Sequence, residues 1–241
     1  MKIAVDARML GSGGIGTYIA SLLPYFLEKN ECFIFGDTEA IAPFAKYENA
    51  ETAECRVKTF SLAERFAFPC ELRKKINSCD VYYTPYCNIP SGIEIPVFST
   101  IHDVVFLDVP GLASKAGTAV RKYFYQRAVD RSRAVFTVSE FSRDRIRATL
   151  DCKKCSIVVA YNALPAWFSS KSSQVVHKIR QLLFVGNIKK HKGLSVLLEA
   201  LKKARKTGFD MPLVIAGNAD NFRTRDTTVA REIASLPEGA V

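Results

Sequence analysis

The residues KIAVDA at 2–7 and LGSGGIGT at 10–17 decide the fold of this chain. The first segment is short and β-rich, as expected of a buried strand. The second contains four glycines and leads into a stretch whose apolar residues recur at helical spacing, namely Ile15, Tyr18, Ile19, Leu22, Leu23, Phe26 and Leu27. A strand, a glycine-rich loop and a helix in this order begin an α/β unit.

Short β-rich segments alternate with amphipathic helical stretches along most of the remaining chain. We predict strands at CFIFG, CRVKTF, DVYYTP, PVFSTI, AVFTVS and SIVVAY, which start at residues 32, 55, 80, 96, 134 and 156. Several are apolar on both faces, which is typical of buried parallel strands. Helices are predicted at residues 123–133 and 141–150, with Ser139 as the N-cap of the second. The predicted fold class is α/β, with helices on both faces of a parallel sheet.

The pattern changes after Tyr161 to a polar, serine-rich stretch, which indicates a crossing between domains. A second α/β unit then begins, with predicted strands QLLFVGN from residue 181 and PLVIAGN from residue 212, and helices at 194–201 and 227–236. Residues 181–241 are fewer than the about 100 to 150 of a typical domain. We therefore predict a domain at 1–165, a linker at 166–180 and an incomplete domain at 181–241.

The composition predicts a globular protein without a membrane span. The chain is 48% hydrophobic, yet it has no run of about 18 apolar residues, and its N-terminus is too short an apolar run for a signal peptide. We expect a cytoplasmic location. The seven cysteines are interpreted as reduced thiols, and the C-x-x-C pair of Cys152 and Cys155 has no second ligand pair for zinc.

The net charge of +10 and the pI near 9.3 imply an anionic partner. Nucleic acid, an acidic membrane surface and a phosphorylated substrate all satisfy that requirement. Between Arg121 and Lys154, ten Lys or Arg residues stand against four Asp or Glu residues. This region is either a solvated helical face or an anion-binding surface. The chain lacks a helix-turn-helix, zinc-finger or RNA-stacking signature, so we expect no nucleic-acid partner.

The glycine-rich loop after the first strand is suited to binding phosphate. Glycines let the backbone approach a ligand, and the helix N-terminus offers free N–H groups to an anion. Gly11, Gly13 and Gly16 also satisfy the dinucleotide motif G-x-G-x-x-G, with Asp37 at a suitable distance beyond. However, residues 7–10 separate the strand from Gly11, which is too long for the dinucleotide turn. A flexible connection without a ligand remains the alternative.

Two further loops carry polar residues at the ends of predicted strands. Thr100, Ile101, His102 and Asp103 stand where open α/β sheets bind ligands, although a structural histidine at the strand end is an alternative. In the second unit, GNIKKHKG at 186–193 places three lysines and a histidine before a helix N-terminus. Cations are unfavourable at that end of a helix dipole, and a bound diphosphate would neutralise them.

These motifs together resemble the family 4 glycosyltransferases. The resemblance rests on GGIGTY at 13–18, TIHD at 100–103, TVSEFSRDRI at 137–146 and FVGNIKKHKGLSVLLEAL at 184–201, with LVIAGN following. It spans essentially the whole chain. It implies a GT-B fold: a nearly complete Rossmann-like acceptor-side domain followed by the beginning of a nucleotide-sugar domain.

The resemblance also implies a function and a set of site residues. It implies transfer of a sugar, with retention and without an essential metal or cofactor, from a UDP-, GDP- or other nucleotide-diphosphate sugar to a saccharide or lipid-linked acceptor in polysaccharide or glycan synthesis. His102 and Asp103 are the implied catalytic pair. The residues implied to bind the donor diphosphate are Gly14, Ile15, Gly16, Gly186, Asn187, Lys189 and Lys192.

The sequence departs from the family pattern in two places. Asn187 stands where many members have arginine, and the C-terminal acidic pair E-x7-E is missing, since Glu31 and Glu39 match its spacing in the wrong domain. We therefore expect a truncated chain that is inactive alone, with peripheral contact to an anionic membrane as a further expected partner interaction. The alternatives are a noncatalytic or partner-dependent half-enzyme and, on the glycine spacing and Asp37, an NAD-dependent oxidoreductase.

Overall fold

The computed structural model describes residues 1–163, 179–186, 188, 192–217 and 229. The chain divides into two compact units, Met1–Ser172 and Ser173–Val241. Each unit is an α/β structure in its own right, and the two are described separately.

The first unit is built on a seven-stranded parallel sheet. Its strands are β1 (Lys2–Asp6), β2 (Glu31–Gly36), β3 (Ala50–Glu54), β4 (Val81–Thr84), β5 (Val97–Thr100), β6 (Ser132–Thr137) and β7 (Ser156–Val159). They lie in the order β3-β2-β1-β4-β5-β6-β7, and every neighbouring pair is parallel. The chain moves outward from β1 to β3 and then returns to place β4 beside β1. This reversal opens a crevice at the carboxyl ends of β1 and β4, where open α/β sheets bind ligands.

Helices cover both faces of the sheet. They are α1 (Gly13–Lys29), α2 (Thr38–Ile41), α3 (Leu62–Phe66), α4 (Cys70–Asn77), α5 (Val105–Asp108), α6 (Lys115–Arg131) and α7 (Glu140–Thr149). Ile19 and Leu23 of α1 are buried against one face. Ile76, Val129 and Ile146, from α4, α6 and α7, are buried against the other. The predicted α/β class is confirmed. No helix in the described part of the chain is both long and apolar enough to span a bilayer.

The predicted strand CRVKTF is wrong. The third strand is β3, which ends at Glu54, one residue before that segment begins. The Cys55 N–H still donates to the carbonyl of Gly36, but the chain then leaves the sheet, and the Val57 carbonyl accepts from Arg8 instead of from a strand. A buried ion pair at the carboxyl edge of the sheet therefore overrides the β propensity of this segment.

Some helix boundaries also differ from the prediction. The helix α6 begins at Lys115, eight residues before the predicted start, because Ser114 caps it by accepting from the Gly117 N–H at 3.1 Å. The predicted cap of α7 is confirmed, since the Ser139 hydroxyl accepts from the Ser142 N–H at 3.1 Å. The short helices α2 to α5 lack the long periodic pattern that reveals a helix in sequence.

The second unit contains β8 (Leu182–Val185), α8 (Leu194–Arg205) and β9 (Leu213–Ala216). The two strands are parallel and pair in register from Leu182–Leu213 to Val185–Ala216. Leu194, Leu198 and Leu201 of α8 form a buried cluster with Leu213. The predicted order of strand, helix and strand is therefore present. The helix predicted at 227–236 lies outside the described residues, apart from Val229.

Candidate functional site

The loop after β1 presents an open helix N-terminus. Gly11 and Gly13 have φ values of 74° and 58°, in the left-handed region that glycine adopts without strain. Ser12 occupies the N-cap position of α1, yet its side chain makes no cap hydrogen bond, and the first turn contains no acidic residue. The positive end of the α1 dipole is therefore left for an external anion.

The glycines at positions 14 and 16 differ in their surroundings. Gly16 is buried, and a Cβ atom there would lie 2.4 Å from the carbonyl oxygen of Met9. Gly14 is exposed, and a Cβ atom there would meet nothing within 4 Å. Gly16 thus lets α1 pack against its own loop, whereas Gly14 leaves an open backbone surface. Ile15 lies between them and is half-buried.

This difference predicts opposite effects of one substitution at two neighbouring positions. Gly16→Ala is expected to lower the free energy of unfolding by about 1–3 kcal/mol, because the new methyl group overlaps a backbone oxygen. Gly14→Ala is the matched control and should leave that free energy unchanged or slightly higher, because alanine favours a helix. Urea denaturation followed by circular dichroism measures both. Equal destabilisation by the two variants would contradict the packing role of Gly16.

His102 follows β5 and is held by two other elements. Its Nε2 atom lies 2.9 Å from the carbonyl oxygen of Pro85, in the loop after β4. Its ring meets the Tyr18 ring edge to face, with centroids 4.8 Å apart and an angle of 86°. Tyr18 lies on α1, one turn after Gly14, on the same side of the helix. The contact therefore brings His102 close to the first turns of α1.

The hydrogen bond to Pro85 determines which His102 nitrogen is available. A carbonyl oxygen only accepts, so Nε2 carries the proton and the neutral ring presents Nδ1 as an acceptor. Burial lowers the pKa of His102 below its usual 6.5, although the Pro85 carbonyl and Asp103 oppose that effect. The ring is therefore neutral at neutral pH. It is suited to accept a hydrogen bond from a ligand hydroxyl group.

Asp103 has a local structural contact of its own. Its Oδ1 atom accepts from the Val105 N–H at 3.1 Å, at the start of α5, and the residue is exposed. No hydrogen bond joins it to the His102 ring in the described structure. The catalytic role of Asp103 stays a prediction.

A group of three hydroxyls includes that of Tyr18, whose ring contacts His102. Tyr83 Oη is 2.9 Å from Thr100 Oγ1 and 3.2 Å from Tyr18 Oη. These residues belong to β4, β5 and α1, so the group ties together the elements that hold His102. Sequence reasoning missed it, because Tyr18 and Thr100 are 82 positions apart.

A buried ion-pair network lies at the carboxyl end of β1. Arg8 donates to Asp6 Oδ2 and to Glu64 Oε1, each at 2.6 Å, and all three side chains are no more than 2% exposed. Arg8 also donates to the Tyr86 hydroxyl, which in turn donates to Glu64. Burial disfavours the charged form of Arg8, but Asp6, Tyr86 and Glu64 outweigh it and raise the pKa of the guanidinium. The network fixes α3 and the loop after β4 to the start of the glycine-rich loop.

The second unit also has glycines and an open helix N-terminus after its first strand, and it adds a lysine. Gly186 has a φ of 152° directly after β8, and Gly193, with a φ of 73°, is the N-cap of α8. Lys192 is exposed just before that cap, and the first turn of α8 has no acidic residue. Asn187 and Lys189, the other predicted diphosphate ligands of this loop, lie outside the described residues.

The dinucleotide alternative does not fit the geometry. β1 ends at Asp6 and α1 begins at Gly13, so the connection is longer than the dinucleotide turn. Asp37, the expected ribose ligand, accepts from the N–H groups of Glu39 and Ala40 and thereby caps α2.

Comparison with known proteins identifies the family to which this chain belongs. A model of glycosyltransferase family 4 matches residues 12–166, and a model of the group 1 glycosyl transferases matches residues 166–233. The first match lies in the first α/β unit, and the second match covers most of the second unit. Since the first match covers more than half of the chain, the protein belongs to glycosyltransferase family 4.

Solved structures support a GT-B fold. The Anabaena protein HepE in complex with UDP and glucose is similar, with a TM-score of 0.54 and 14% identity over 89% of this chain and 60% of that chain. A glycosyltransferase from Rickettsia africae ESF-5 has a TM-score of 0.52 and 16% identity over 97% of this chain and 64% of that chain. The chain thus spans less than two thirds of the length of either structure. No curated protein matches it in sequence.

Proposed function

We propose that this protein is part of a retaining glycosyltransferase. It transfers a sugar from a nucleotide-diphosphate sugar to a saccharide or lipid-linked acceptor in cell-surface polysaccharide or glycan synthesis, without an essential metal. The observation that carries the proposal is the pair of uncapped helix N-termini, at Gly13 and Leu194, each preceded by glycines at the carboxyl end of a parallel strand. Such ends bind phosphate groups.

The described residues suit the chemistry of this transfer. The bond between the sugar and the donor diphosphate breaks, the acceptor oxygen bonds to the sugar, and the acceptor proton is released. Negative charge then grows on the diphosphate, and the α8 N-terminus with Lys192 stabilises it. His102 orients the transferred sugar by accepting from one of its hydroxyl groups at Nδ1. Asp103, in the same loop, takes part in catalysis with His102.

The comparisons support the donor class and the domain limits of this proposal. The HepE structure contains UDP, which favours UDP among the UDP, GDP and other nucleotide donors. The two family models meet at residue 166, which supports the end of the proposed acceptor-side domain at 1–165. The proposed linker at 166–180 and the incomplete nucleotide-sugar domain at 181–241 follow it.

The proposed role of Lys192 is tested by UDP binding. Lys192→Ala is expected to weaken UDP binding about tenfold, because a charge-assisted hydrogen bond contributes about 1.5–3 kcal/mol before solvent weakens it at an exposed site. Isothermal titration calorimetry measures the affinity. Lys203→Ala, in the last turn of α8, removes the same charge at the other end of the helix. Equal weakening by both variants would contradict a specific diphosphate contact.

A partner-dependent half-enzyme is the second candidate function. It is favoured by the β8–β9 sheet, where Leu183, Val185 and Val214 are exposed on the strands opposite the residues that contact α8. UDP binding by the chain alone at micromolar concentration would argue against this candidate. Binding that requires a second protein would favour it.

We place the protein in the cytoplasm, in peripheral contact with an anionic membrane, because its net charge is +10. The region from Arg121 to Lys154 is not one free cationic face. Arg145 pairs with Asp108 and Arg143 with Asp144, while Arg131 donates to the Ile93 carbonyl.

A further inference from the structure

The short helix α3 has an inverted polarity. Its acidic residue Glu64 is 1% exposed, whereas Leu62 and Phe66 are 65% and 72% exposed. Leu62 and Phe66 are four residues apart, so they lie on one side of the helix. A helix on a protein surface normally buries its apolar side and exposes its charges. The outward face of α3 is therefore built for an apolar environment.

The buried network prevents α3 from rotating to hide that face. Glu64 Oε1 accepts from Arg8 at 2.6 Å, and Oε2 accepts from the Phe60 N–H at 3.0 Å and from the Asn88 amide. Phe60 has a φ of 57°, which is uncommon for a residue with a side chain. These contacts hold Leu62 and Phe66 outward in a fixed position.

Two arginines without acidic partners lie beside the apolar face. The Arg65 guanidinium is 4.9 Å from the centre of the Phe66 ring. Arg127 of α6 donates to the carbonyls of Ile89 and Pro90. In both residues Nε is buried without a hydrogen-bond partner, and within the described ranges neither forms an ion pair with a carboxylate. Burial lowers the pKa of Arg127, and the positive charges of Arg65 and Arg131 lower it further. This direction is expected where neighbouring cations have no anion beside them.

An aromatic residue of α6 extends the same surface. Tyr123 is 52% exposed and precedes Arg127 by one helical turn. The resulting surface combines three large exposed apolar side chains with two guanidinium groups. We call it the α3–α6 patch; its residues are Leu62, Arg65, Phe66, Tyr123 and Arg127.

We infer that the α3–α6 patch docks on an anionic phospholipid bilayer, with its arginines on lipid phosphates and its apolar side chains in the headgroup–acyl boundary. Guanidinium groups bind phosphate oxygens in a bidentate manner. Aromatic and aliphatic side chains beside cations are the composition of interfacial membrane-binding surfaces. The net charge of +10 adds attraction over the whole molecule. The inference rests on the membrane contact in the proposed function and specifies its surface.

Vesicle flotation of the full chain without a donor tests the inference. We expect binding to vesicles of phosphatidylcholine with phosphatidylglycerol and much weaker binding to phosphatidylcholine alone. Arg65→Gln should weaken binding about fivefold, the effect of roughly 1 kcal/mol for one cation at an anionic surface. Phe66→Ser should weaken it roughly tenfold, because the variant loses the transfer of a large apolar side chain from water into the headgroup–acyl boundary.

Matched variants on α1, which covers the other face of the sheet, provide the controls. Lys29→Gln removes the same charge as Arg65→Gln, and Tyr25→Ser removes an exposed aromatic ring as Phe66→Ser does. Both should retain most of the binding. Arg65 is preferred to Arg127 as the test position, because the Arg65 guanidinium makes no hydrogen bond to another residue in the part of the chain that the structure describes. Arg127 donates to two carbonyls, and the fold would lose those hydrogen bonds on substitution.

The possible outcomes are distinguishable. Failure of the parent chain to bind anionic vesicles, or equal losses from the patch and α1 variants, would overturn the inference. Glycosyl transfer does not enter the measurement, so a result against the patch leaves the proposed transferase function standing. Loss of UDP binding in Lys192→Ala likewise leaves the vesicle result unchanged.

Discussion

Replacing Arg8 with methionine is expected to lower the free energy of unfolding by about 3–5 kcal/mol, the cost of leaving buried carboxylates without their cation. Asp6 and Glu64 are both buried and each accepts from the same Arg8 Nη2 atom at 2.6 Å. Methionine fills much of the volume of the aliphatic stem, so the change isolates the lost charge from the lost packing. Urea denaturation followed by circular dichroism gives the free energy.

An exposed arginine provides the control for this substitution. The Arg56 side chain is 84% exposed and pairs with Glu54 at 2.7 Å. Arg56→Met should change the free energy of unfolding by less than about 1 kcal/mol, as is usual for surface ion pairs. Similar effects of the two variants would show that the buried network does not hold α3 and the glycine-rich loop in place.

The main features of the fold follow from local sequence patterns. Buried parallel strands are apolar on both faces, and the sequence therefore predicted six of the seven strands of the first unit correctly. The third strand was missed because β3 reads AETAE, which has neither apolar character nor alternation. This segment is the edge strand and pairs with β2 through backbone hydrogen bonds. Backbone pairing does not require a particular pattern of side chains, so the sequence does not reveal it.

Some features of the candidate site can likewise be predicted from local sequence, and others cannot. The glycine-rich loop and the position of His102 after a strand are local features, and the sequence reveals them. The Arg8–Glu64 pair joins residues 56 positions apart, and only the folded topology brings them together. The inverted polarity of α3 depends on this pair, so the sequence alone suggests an ordinary loop where the structure presents an apolar surface.

His102 is the described residue whose loss should most reduce glycosyl transfer. His102→Ala is expected to lower kcat/KM of the complete transferase about 100-fold, because a small misplacement of the reacting sugar has an effect of that order. The affinity for UDP should stay within about twofold, since the proposed contact of His102 is with the sugar rather than the nucleotide. Steady-state kinetics and UDP titration give the two quantities.

Two conservative variants separate this positioning contact from a structural role. His102→Asn places an amide oxygen near the position of Nδ1 and should recover part of the lost activity, although it gives up the hydrogen bond to the Pro85 carbonyl. Tyr18→Phe keeps the ring that packs against His102 and should retain most of the activity. If His102→Ala lowered UDP affinity as much as it lowered kcat/KM, the histidine would be holding the fold of the loop rather than the sugar, and the proposed contact would be wrong.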